Sequence, residues 1–338
     1  MSHEIRKYDD MAFVGQVPWH GLGNQLNADA NIETWIRAAN MNWEIRSAPV
    51  KIEVEYGDPA DPTREVKTFS RRVGLYRSDV GLPLSIVGDG YKVVQPRQVL
   101  EFFRELVSAF GFTLETAGTL KNGRYLWALA RLNEHAVVLD PRDKVRSFLL
   151  LATACDGKFA TTGQFTGVRV VCNNTLQYAL GLGVGEDAHE KAVKISHMIE
   201  FDPVKMKDAL GLAHGSFAVF MEQARRLAST PMPTNDAARY FTLLVGDPTL
   251  EAGHVDQPRT VAKLMTNYEG SPSIRDIQGA AGTAWGAVNA VTQFIDFQRP
   301  DRGHGGRLAG AWFGSGRKLK QDAWDLAQAY AKKELTFA

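Results

Sequence analysis

The spacing of the apolar residues changes once along this chain, and that change constrains the fold more than any other feature. From Trp43 to Cys172 apolar side chains recur at every second position in run after run. Trp43, Ile45, Val50, Ile52, Val54 and Tyr56 come first, and the later runs are FTLETAGTL, RYLWALARL, AVVLD, VRSFLLLATA and FATTGQFTGVRVVC. A period of two is the signature of strands. Beyond the glycine-rich GLGVG at 181–185 the spacing becomes helical, with Val204, Leu210, Phe217, Phe220, Met221 and Leu227 on one stripe. The expected fold class is therefore α+β: a mostly antiparallel sheet with packed helices first, then a mainly helical part. The expected units are 1–182 and 187–338.

Local signals refine this reading. Asn31 or Asp29 caps a short helix carrying Ile32, Trp35, Ile36 and Ala39. VKTFSRRVGLYR and PLSIVGDGYKVVQ read as antiparallel strands, with Asp89-Gly90 as a hairpin turn. Pro96 opens a helix through Val99, Leu100, Phe103, Leu106, Val107 and Phe110 that Gly111 ends. Lys121-Asn122-Gly123 joins two strands by a tight turn. Asn235 or Asp236 opens a helix, 259–268 and 279–297 are helical, and a final helix spans 320–333 after a glycine-rich basic loop.

Composition excludes several classes. With 39 basic and 38 acidic residues the net charge is +1, so attraction to nucleic acid must come from local patches. The two cysteines, Cys155 and Cys172, predict free thiols in a cytoplasmic protein. No leader-like apolar run opens the chain, and none approaches the roughly 18 residues of a membrane span.

No Walker A, zincin, nucleophile-elbow or paired-carboxylate motif is present, which predicts a non-enzymatic protein without a cofactor. His189, Glu190 and His197 lack zincin spacing, so no metal site is expected, and VKISHM reads as a strand. A catalytic reading would rest on Cys172 with His197 and Asp156, against which Cys172 sits in an apolar strand run.

Three basic groups are candidate nucleic-acid contacts. Arg71, Arg72 and Arg77 are interleaved with Phe69 and Tyr76, and Arg317, Lys318 and Lys320 follow Trp312 and Phe313. Aromatic faces beside positive charge bind single strands by stacking. The third group is Arg169 with Asn173 and Asn174. The asparagines either bind phosphate at a helix N-terminus or simply cap a helix from Thr175, and Arg169 either lines a groove or pairs across the sheet.

Three segments carry a resemblance: WHGLG near the start, DGKFATT with VRVVCNNTLQYAL at the centre, and WGAVNAVTQFIDFQRP with AWFGSGRKLK later. Together they resemble the phage/plasmid-like protein family, the domain of unknown function 932 family, over residues 12–330. Phe297 follows Asp296 where the family pattern has His. The resemblance implies a protein of phages and plasmids with no assigned reaction. The first half is similar in outline to single-strand annealing proteins of the Rad52 type. The expectation is a homo-oligomeric single-stranded DNA-binding, annealing or recombination accessory factor. The alternative is a protein that binds a host factor through its helical half.

Overall fold

The computed structural model describes residues 10–15, 23–110, 112–158, 160–169, 174–177, 193–202, 204–205, 216–246, 257–299 and 315–336. The fold is α+β, with sheets in the N-terminal part and helices in the C-terminal part.

The larger sheet contains β1 (Met11–Val14), β2 (Asn24–Leu26), β6 (Thr113–Leu120), β7 (Tyr125–Val137), β8 (Lys144–Ala154), β9 (Thr161–Arg169), β10 (Asn174–Gln177) and β11 (Val193–Ile195). Its order is β10-β9-β8-β7-β6-β1-β2, and β11 shares the outer edge of β9 with β10. Pairing is antiparallel except between β1 and β2. β8 is buried from Ser147 to Ala154, so side chains on both faces are covered, which is why its sequence is a nearly continuous apolar run. Of the expected AVVLD strand only Ala136 and Val137 form, as the end of β7 after a register shift between Arg131 and His135; Val138–Asp140 belong to the turn into β8.

The β6–β7 turn forms as the sequence predicts. Lys121, Asn122 and Gly123 all have positive φ, and a Cβ on Gly123 would lie 2.7 Å from Trp43 Cζ2, so only glycine fits there. Asn31 caps α1 (Ile32–Ala38), accepting from the Thr34 N–H at 3.0 Å. Pro96 begins α2 (Pro96–Phe110), whose Val99, Leu100, Phe102 and Phe103 are buried.

The smaller sheet is β3 (Ile45–Asp58), β4 (Asp61–Arg77) and β5 (Pro83–Gly88) in that order. β5 pairs only with residues 72–76 of β4. The rest of β3 and β4 is a two-stranded ribbon with most of its side chains exposed. The hairpin expected at Asp89-Gly90 does not form, because the following residues have other partners. Lys92 N–H donates to His197 O at 2.6 Å, Tyr91 Oη donates to Ala154 O at 2.7 Å, and the Gln95 side chain brackets the Ile45 backbone at 2.8 and 3.0 Å.

The helices are α3 (Ser216–Ala228), α4 (Thr234–Gly246), α5 (Gln257–Gly270), α6 (Pro272–Arg275), α7 (Ala284–Gln293), which runs into a π turn over Phe294–Gln298, and α8 (Ser315–Ala331). Phe220 stacks on Trp324 at 4.9 Å, and Trp285 meets Trp324 edge-on. The unit boundary expected near 181–185 lies outside the described residues. Three polar contacts between the sheet and the later helices lie at the β7–β8 corner. Arg225 donates to Val137 O, Arg142 donates to Asp276 O at 2.8 Å, and Trp285 Nε1 donates to Asp143 Oδ2.

Candidate nucleic-acid interface

The base of the β3–β4 ribbon presents the best-formed candidate surface. Register places Arg46 opposite Tyr76, Ala48 opposite Gly74, Gly74 opposite Ile86, and Arg72 opposite Gly88. Residues directly opposite share a face in an antiparallel sheet, so these side chains form one surface. Arg46, Arg72 and Ile86 are exposed and Tyr76 is half-buried. Gly74 and Ala48 keep the floor low, with a Val50 methyl beside it 3.7 Å from where a Gly74 Cβ would stand, between an aromatic ring and two guanidinium groups. Arg46 pairs with Glu44 at 3.0 Å, with both side chains more than half exposed. A pair of this kind is worth under about 1 kcal/mol and yields readily to a phosphate.

Arg71 and Arg72 sit where β4 leaves its register with β3. Pro49 pairs with Val73 and Lys51 with Thr68, so four β4 residues oppose Val50 alone. Arg71 adopts φ 57°, and its carbonyl accepts from Asp89 N–H. Phe69 is exposed in the same bulge. Sequence reasoning missed Arg46 and Ile86. Their signal was parity, since Arg46 and Ala48 alternate outward just as Arg72, Gly74 and Tyr76 do.

Arg77, expected on this surface, is a correction. It lies on the opposite face with Leu75 and is 1% exposed. Its guanidinium is held by both Asp79 oxygens, at 3.0 and 2.8 Å, and lies 4.1 Å from the centre of the Trp43 ring. The same hydrogen bonds hold the Asp79 carboxyl below its ordinary value.

The central stretch is also corrected. No helix begins at Thr175. Asn174–Gln177 form β10, with Asn174 opposite Arg169 and Gln177 opposite Thr166, because the outer edge of β9 needs backbone partners. The helix N-terminus proposed as an anion site is therefore a strand pairing. Asn173 and Cys172 lie outside the described residues. α7 and α8 pack against β10, so parts of the central and later sequence motifs converge.

Arg317, Lys318 and Lys320 lie on the first turns of α8, which starts at Ser315 rather than Lys320. Lys318 is exposed, and burial lowers the pKa of Arg317. Lys320 is a further correction: its ammonium is 4% exposed and bound to the buried Asp296 carboxylate, so it holds the π turn instead of facing a ligand.

His197 is buried, stacked on Tyr91 at 4.5 Å, with Nδ1 3.0 Å from Lys92 O. It therefore anchors the segment after β5. Burial pushes the Cys155 thiol up to about 12. Asp156 is engaged by the Lys158 N–H. Among the described residues no group of three His, Cys, Asp or Glu side chains could hold a metal ion, and no helix is long and apolar enough to cross a membrane. His189 and Glu190 lie outside the described residues.

Fold and surface thus define an α+β protein with an exposed sheet face bearing arginine and tyrosine. A family model described as a domain of unknown function (DUF932) matches residues 83–324, well over half of the chain, and the protein belongs to that family. The match begins at β5, so the β3–β4 ribbon and the WHGLG motif precede it. No curated protein and no solved structure matches the chain.

Proposed function

We propose that the protein binds single-stranded nucleic acid, DNA above all, on the outer face of β3-β4-β5, without catalysing a reaction. The observation that carries this reading is the low Gly74–Ala48 floor with Tyr76 and Ile86 above it and Arg46 and Arg72 at its margins. Bases stack on an aromatic ring or apolar side chain while guanidinium groups take the phosphates, and stacking is worth about 1–3 kcal/mol per base. Phe69 and Arg71 extend the path toward the ribbon. In this reading the protein is a cytoplasmic annealing or recombination accessory factor of a phage or plasmid, and an oligomer lines up several such faces.

The test is fluorescence anisotropy with a short labelled single strand and nuclease-treated protein. Binding at low salt that weakens steeply as salt rises is expected. Arg46→Ala/Arg72→Ala/Tyr76→Ala should weaken it by about tenfold or more. No binding at low salt, or unchanged binding by the triple variant, overturns the reading.

A second reading, binding of a host protein, draws on exposed Met198, Ile199 and Val204 beside β11. A host-lysate capture that survives nuclease and the triple variant, and is lost with Met198→Ser/Ile199→Ser, favours it instead. The catalytic reading of Cys172 with His197 and Asp156 is the weakest of the three, since the His197 ring is already committed to packing.

A further inference from the structure

The outer half of the ribbon leaves the edge of β4 open. Among the described residues nothing pairs with β4 between Asp61 and Ser70 on the side away from β3; the Arg71 carbonyl already accepts from the Asp89 N–H. Pro62 tells which backbone groups face that side. Pro62 lies opposite Gly57 and has no N–H, so this is not a hydrogen-bonded pair, and the alternation of antiparallel pairing makes positions 62, 64, 66 and 68 point outward. Long edge strands are normally blunted by charge and proline. Here the charges run in a self-complementary order.

We propose that this ribbon is a homodimerisation element, with β4 pairing antiparallel against β4 of a second copy about a dyad at Val66. That register places Val66 against its own symmetry mate through outward-facing N–H and C=O groups. It sets Glu65 of each copy opposite Lys67 of the other, and Arg64 opposite Thr68. Pro62 falls opposite Ser70, at the last rung, where its missing N–H costs one bond at the end of the ladder and breaks none inside it, and Arg71 with φ 57° ends the regular ladder. Moving the dyad to Arg64 would instead put Pro62 opposite Val66, inside the ladder. The result is a four-stranded β3-β4-β4-β3 sheet, on which exposed Val66, Phe69 and Ile52 gain neighbours. Glu65 already holds Lys67 at 3.3 Å and accepts from Tyr56 Oη at 2.9 Å. Pairing would therefore turn each local pair into an alternating row of charges across the dyad.

This deepens the oligomeric part of the proposed function but does not need nucleic acid. Sedimentation velocity of the nuclease-treated full chain should show a concentration-dependent dimer. Val66→Pro removes an N–H that β3 does not use and should raise the dimer Kd by about tenfold or more. Glu65→Lys and Lys67→Glu should each weaken dimerisation, since each sets like charges opposite one another across the dyad. The double exchange should restore the dimer, because the two positions again carry opposite charges in both directions, with the signs swapped. Circular dichroism checks each variant, and the charge series decides if the proline variant unfolds. A wild-type protein that stays monomeric at every concentration, a dimer indifferent to Val66→Pro in a folded protein, or a double exchange that fails to restore the dimer overturns the proposal. Failure of strand binding by a protein that still dimerises removes the proposed function and leaves this interface standing.

Discussion

Trp285 Nε1 donates a hydrogen bond to Asp143 Oδ2 at 2.9 Å, between two buried residues 142 positions apart. The indole is at the start of α7 and the carboxylate is just before β8, so this bond ties the helical part to an interior strand of the sheet. The same corner carries Arg225 to Val137 O and the Gln278 N–H to Asp140 Oδ2.

Trp285→Phe keeps most of the ring and removes that donor. Leaving one buried acceptor short of a partner costs about 1–3 kcal/mol. Urea unfolding should show a lower midpoint with an unchanged slope. A broadened or two-step transition would instead mean that the sheet and the helices now unfold separately.

Lys320 and Asp296 form a buried ion pair, with side chains 4% and 9% exposed. Lys320→Met takes the ammonium away from a largely buried carboxylate and should cost up to about 3–5 kcal/mol, whereas Lys320→Met with Asp296→Leu should recover most of that loss. Both variants should bind single strands like the wild type at a temperature where they are folded, since neither group faces the surface.

Asp140 supplies the pH dependence. The Arg142 side chain first, then the Arg142 and Gln278 backbone N–H groups, hold its carboxyl well below the usual carboxylate range. The unfolded chain therefore binds a proton near pH 4 that the folded chain does not. The stabilisation is complete above that pH and is lost as pH falls toward the folded value. The stability gap between wild type and Asp140→Asn, read from urea midpoints, should be constant above about pH 5 and close progressively below about pH 4.

Burial, which pushes the Cys155 thiol up to about 12, leaves it protonated at neutral pH. In a Cys172→Ala background the native protein should be silent to a thiol reagent at about pH 8, and one thiol should titrate after denaturation. Rapid reaction of the native protein would show that the Cys155 pocket opens.

Where a signal is local, the sequence was a sufficient guide. The Asn31 cap, the proline start of α2 and the tight turn at Lys121–Gly123 each depend on side chains within a few residues, and each is found where the sequence places it. The expected surface was half legible. Arg72 and Tyr76 do share an exposed face, while Arg77, one position beyond Tyr76, turns inward onto Trp43. Composition alone treats those arginines alike; only the parity of the strand, set by which face meets the core, separates them.

The sequence by itself determined the class of fold, because a period of two followed by a period of 3.6 admits little else. Only the tertiary structure decided that Asn174–Gln177 pair as a strand, that Tyr91–Gln95 return no hairpin, and that Lys320 is buried against Asp296. The physical reason is the same in each case. A backbone edge or a charge is satisfied by whichever partner the fold brings near, and that partner can be distant in the chain: 109 positions separate Asp10 from the Thr119 hydroxyl that accepts its N–H, and 24 separate Asp296 from Lys320.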